Sequence, residues 1–121
     1  MNLRNGNEGF IIIEIINSTA CSSCLQLEEV LSRNGIPYHQ INIKSLGPEE
    51  MAEIEHMATL KLCALRCNGE FSTIEAIMST PMIRYYIRGH PHFLFPVDLM
   101  NHGHVRVEAL AGIKAIAEGE E

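Results

Sequence analysis

Two cysteines three residues apart, Cys21-Ser-Ser-Cys24, have the type and spacing to do chemistry. A dithiol so spaced can close to a disulfide and reopen by thiolate attack, exchanging two electrons with a partner. Phe10-Ile-Ile-Ile-Glu-Ile-Ile16 before them reads as a short buried strand, and Asn17-Ser-Thr-Ala20 breaks it. Leu25, Leu27, Val30 and Leu31 then return at helical spacing. The pair therefore stands where a strand hands over to a helix. Backbone N–H groups and the helix dipole favour an anion there, so Cys21, nearer the turn, is the expected attacking thiolate. Cys24, one turn into the helix, is the expected resolving thiol. The plain alternative is a pair of inert buried cysteines.

Cys63 and Cys67 lie four apart, on one face of a helix. They are a candidate second redox pair, or simply a half-buried pair. Disulfide chemistry needs no cofactor, and the rival is a zinc ion on Cys21, Cys24, Cys63 and Cys67. Against zinc, the second pair lacks the tight cysteine turn usual at such sites. His90, His92, His102 and His104 form two His-x-His pairs at expected turns. Asp98 alone does not complete a ligand set, so no metal is expected there. The chain carries no glycine-rich phosphate loop and no basic–aromatic stripe for nucleic acid.

The elements that must position these groups fit one domain over residues 1–121, since 46% hydrophobic and 20% charged content suits a single folded unit. A net charge of −6 argues against nonspecific binding to nucleic acid or an anionic membrane. The polar start Met1–Glu8 and the short apolar run interrupted by Glu14 resemble neither a signal peptide nor a membrane span. A cytoplasmic location is expected, where structural disulfides are rare.

The first helix should run to Ser32 or Arg33, capped by Asn34-Gly35, and Ile36–Ile43 should form a strand parallel to the first. Gly47-Pro48-Glu49-Glu50 starts a second helix with Met51, Ile54 and Ala58 inward, and its continuation to Cys67 is left open. Ser72-Thr73 opens a helical stretch to Met78. Thr80-Pro81 reads as an N-cap and first-turn proline for a helix over Ile83–Ile87, giving a helical block over about 48–90. Phe93–Met100 and His104–Glu108 read as an antiparallel hairpin around Asn101-His102-Gly103. Ala109–Ala117 is a final helix and Glu118–Glu121 a solvated tail. The expected architecture is α/β, a mostly parallel, four-stranded mixed sheet.

This order resembles the thioredoxin/glutaredoxin-like fold, in which a cis-proline opens the strand after the helical block and lies beside the thiols. Phe95-Pro96 is the first candidate for that bond and for the groove lining, with Thr80-Pro81 the second. Within the fold, three blocks resemble the arsenate-reductase (ArsC)/Spx family. They are Cys21–Cys24 with Leu31-Ser-Arg-Asn-Gly-Ile-Pro-Tyr38 and Ile41-Asn-Ile43; Leu46-Gly-Pro-Glu-Glu-Met51-Ala-Glu-Ile54; and Tyr86–Pro91 through Phe95-Pro96-Val-Asp-Leu to His104-Val-Arg-Val. In the family's arsenate reductases the resemblance implies arginines that bind the oxyanion. Here Phe95 stands where an Arg is usual, and Arg66, with Arg84 or Arg88, is the remaining candidate contact. An apolar ring cannot hold arsenate by a charge-assisted hydrogen bond, so arsenate reduction is not expected. The expected function is a thiol–disulfide redox protein acting on a protein thiol or disulfide, or on a low-molecular-weight thiol. The alternative that the resemblance implies is a non-enzymatic, Spx-like transcriptional regulator whose disulfide controls binding to RNA polymerase.

Overall fold

A computed structural model describes residues 11–119; the polar start, Phe10 and the tail's last two glutamates lie outside the described residues. The alternation in the first strand, β1 (Ile13–Asn17), places Ile13 and Ile15 on one face and Ile16 on the other, all three fully buried. Helix α1 (Ser22–Arg33) follows, then β2 (Tyr38–Asn42), parallel to β1 with Ile13 opposite Tyr38 and Asn17 opposite Asn42. The α1 terminus is closed as its sequence predicts. Gly35 takes φ +71°, and the Ile36 N–H reaches back to the Leu31 carbonyl at 2.9 Å, bringing two buried side chains of one cluster together.

A 3₁₀ turn at Ile43–Ser45 leads into α2 (Pro48–Cys67), one continuous helix of 20 residues, which resolves the open question of its length. The Gly47 N–H donates to Glu50 Oε1 at 3.1 Å at its start. The short α3 (Ile74–Ile77) ends the helical block, well before residue 90.

The next segment departs from expectation. Met82–Ile87 is not a helix but strand β3, antiparallel to β1, with Ile15 opposite Ile83 and Ile16 opposite Met82. Strand β4 (His90–Leu94) pairs antiparallel with it across Arg88-Gly89, both left-handed at φ 54° and 81°. Sheet pairing, which the β-branched and aromatic run Met-Ile-Arg-Tyr-Tyr-Ile favours, has overridden a helix-start signal. The expected strand over Phe93–Met100 stops at Leu94. Phe95 opens α4 (Pro96–Leu99), and the expected hairpin shrinks to β5 (Met100–Asn101) and β6 (His104–Val105) around the predicted His102-Gly103 turn. The last helix, α5 (Val107–Ala117), starts two residues early.

The main sheet has the order β2-β1-β3-β4, four-stranded and mixed as expected; only β1 and β2 run parallel, so it is mostly antiparallel rather than mostly parallel. Its two faces carry separate apolar clusters. On one, Ile13, Ile15 and Ile83 pack with Leu27 and Leu31 of α1 and Ile113 of α5. On the other, Ile16 and Met82 pack with Ile54 and Ala58 of α2, Ile77 of α3, and Phe95. The result is a three-layer α/β arrangement. Among the described residues no helix is long and apolar enough to cross a membrane.

Candidate redox site

Cys21 and Cys24 form a disulfide with Cα atoms 5.2 Å apart, within the range a disulfide spans. Ala20, left-handed at φ 58°, turns the chain from the end of β1 into the helix. For a residue with a Cβ this conformation costs about 1–2 kcal/mol, a strain typical of functional turns. Cys21 then takes the N-cap position with extended backbone, and its Sγ accepts from the Cys24 N–H at 3.1 Å. A helix amide, normally without a partner at this end, is therefore aimed at sulfur. Cys21 is half-buried, whereas Cys24, on the inner face of α1, is only 2% exposed.

The second contact comes from the far side of the sequence. The Thr80–Pro81 peptide is cis and enters β3 beside the disulfide. Thr80 Oγ1 donates toward Cys21 Sγ at 3.5 Å, and the Thr80 carbonyl oxygen lies 3.7 Å from the same sulfur, where the reduced thiol can donate to it. Ser18 Oγ holds the Thr80 hydroxyl at 2.6 Å. The expected cis bond at Phe95-Pro96 is thus corrected to Thr80-Pro81. Phe95 is buried in the α2-side core, and Pro96 is the first residue of α4, with the Phe95 N–H donating to Asp98 Oδ2 at 2.9 Å. Neither residue lines the groove at the disulfide.

That groove is an open depression along the end of β1 and the start of α1, reaching Asn17, Leu25, Glu28 and Gln40. Asn17, Ser18, Glu28 and Gln40 were not among the sequence candidates. Only Thr80-Pro81, the second cis-proline candidate, carried a signal toward this site. A more enclosed apolar cleft, between Ile11, Ile12, Pro37, Tyr38 and Lys114, opens toward the other end of β1 and contains no sulfur.

The remaining candidates lie elsewhere. Cys63 and Cys67 are free and exposed on α2, not joined to each other and not lining the groove. With Cys21 and Cys24 paired, and no three His, Cys, Asp or Glu side chains converging among the described residues, the four-cysteine zinc set is not assembled. Arg66 is exposed in the last turn of α2 and does not line the groove. Arg84, 5% exposed on β3, donates to Glu14 Oε1 at 2.6 Å and to Glu50 Oε2 at 2.8 Å, so its guanidinium is committed to carboxylates. The Glu50 carboxyl is held below its ordinary range by the Arg84 hydrogen bond first and by the Gly47 N–H second. Burial pulls the Arg84 guanidinium down, but the bonds from Glu14 and Glu50 outweigh it and leave its pKa raised.

Comparison with protein-family models, with curated proteins and with solved structures gives no match to any of them. The site's own chemistry is therefore what speaks for a function.

Proposed function

We propose that the protein is a thiol–disulfide redox protein of thioredoxin-like, ArsC/Spx-type fold, with Cys21 attacking and Cys24 resolving. The observation that carries this reading is the half-buried Cys21 sulfur held between a helix-terminal N–H and the Thr80 hydroxyl, bridged to a buried sulfur one turn along. Support for the fold assignment comes from a parallel β1-α1-β2 unit, a helical block, an antiparallel pair and a last helix in one mixed sheet.

In the reduced protein the Cys21 thiolate attacks one sulfur of a partner disulfide. A mixed disulfide forms, the partner's own S–S bond breaks, and the leaving thiolate takes a proton from solvent. Cys24 then loses its proton to solvent and attacks the Cys21 sulfur. The Cys21–Cys24 bond forms and the second partner thiolate leaves. The partner gains two electrons and the protein dithiol is oxidised by two. The two N–H and O–H donors stabilise Cys21 both as attacking anion and as leaving group, which lets the exchange run either way.

With dithiothreitol as reductant, the protein is expected to accelerate insulin disulfide reduction over dithiothreitol alone. Cys21→Ser should abolish this, and Cys24→Ser should accumulate a mixed disulfide visible by mass. Turnover that survives Cys21→Ser contradicts the assignment. One oxidation per chain without turnover, joined to altered affinity for RNA polymerase, would instead fit the regulator that the family resemblance implies.

A further inference from the structure

The groove beside Cys21 has a one-sided charge. Among the described residues that line it there is no lysine, arginine or histidine, and Glu28 is the one charged side chain. Asn17 Nδ2 donates to Glu28 Oε2 at 3.2 Å, tying this carboxylate to the end of β1 from which the cysteine turn departs. The opposing positive feature is the α1 N-terminus, two of whose amides are already turned to Cys21. The Cys24 N–H points at Cys21 Sγ and the Leu25 N–H at the Cys21 carbonyl, 3.3 Å away. About half a positive charge spent on the sulfur does not offset a full negative one facing the partner. Leu25, 66% exposed on the same rim, offers an apolar contact besides.

We propose, building on the reading of Cys21–Cys24 as a thiol–disulfide centre, that this groove selects disulfides carried on neutral or cationic segments and disfavours anionic ones such as glutathione disulfide, with Glu28 setting the preference. Glutathione carries two carboxylates and one ammonium in each half, so its disulfide approaches Glu28 as a net anion and finds no cation in the groove to bind it. A cationic segment meets the carboxylate favourably, and because the site is open, the attraction is of the screened, surface kind.

The test uses the full chain, reduced and freed of reductant. It is mixed with cystamine, a cationic disulfide, or with glutathione disulfide, and each rate is divided by that of the same disulfide with dithiothreitol. The corrected cystamine-to-glutathione ratio is expected to exceed one and to shrink with added salt. In Glu28→Gln, which keeps an acceptor for Asn17, it should fall about twofold to fivefold. Glu108→Gln removes the same charge from α5, outside the groove, and is expected to leave the ratio in place. A ratio at or below one, or an equal shift in both variants, overturns the proposal and leaves the redox reading standing. Failure to react with either disulfide overturns the redox reading, and this proposal with it.

Discussion

Cys21 and Cys24 are one helical turn apart and differ in access to water, and the proposed difference in their roles rests on that asymmetry. Cys21 is half-buried with two donors on its sulfur; Cys24 is sealed against the sheet. Of the two donors, the helix amide belongs to the backbone and cannot be substituted away, whereas the Thr80 hydroxyl can. Thr80→Ala is therefore expected to raise the Cys21 thiol pKa, since it removes a donor to the thiolate and hydrogen bonds to a charged group are worth more than neutral ones. Thiol absorbance against pH in a Cys24→Ser background reads it directly, and an unchanged value would remove Thr80 from the site. At this scale the cysteine pair was fully legible, because the residue types and the strand-to-helix break sit within a few positions. Ser18 and Thr80 were not, because their contact joins positions 62 residues apart.

At the scale of elements, the two proline-led segments exchange the roles their sequences suggest. Thr80-Pro81 looks like a helix start and enters a strand; Phe95-Pro96 looks like a strand and starts α4. A local signal separating them was present. Asp98 stands three residues after Phe95 and accepts its N–H, whereas the position three after Thr80 is Ile83, which has no acceptor. Strand β3 also carries Arg84, whose guanidinium draws Glu14 of β1 and Glu50 of α2 together across the sheet. Arg84→Met is expected to lower stability by about 1–3 kcal/mol, a buried-pair loss reduced because both carboxylates retain some access to water. The pH dependence has a definite sign. Glu50 is held below its ordinary value of 4.5, so the unfolded chain binds its proton first as acid is added. The stabilisation from Glu50 is complete above that value and disappears as pH falls through the folded one. Urea unfolding from pH 7 to pH 3 should therefore show the parent–variant gap closing at the acid end, and a gap that widens there would refute the pairing.

Over the whole molecule, the sequence made the α/β class and the mixed four-stranded sheet legible, because the run of isoleucines, the Asn34-Gly35 cap and the Pro48 helix start are strong local signals. The strands beyond β2 were not legible: Met82–Ile87 reads locally as a helix, and its place as a strand antiparallel to β1 depends on Ile16 meeting Met82 and Ile15 meeting Ile83, a match made across the fold. The outcome places four cysteines in three environments, namely Cys21 at the strand–helix turn, Cys24 under it, and Cys63 with Cys67 exposed on α2. The most direct test of the central claim is iodoacetamide labelling of the fully reduced protein against pH, resolved by mass spectrometry for each cysteine. Cys21 is expected to react first, with a midpoint below the ordinary thiol value of about 8.5. Cys63 and Cys67 should follow as ordinary exposed thiols, and Cys24 should come last. Preferential labelling of Cys24, or a Cys21 midpoint no lower than those of Cys63 and Cys67, would contradict the account.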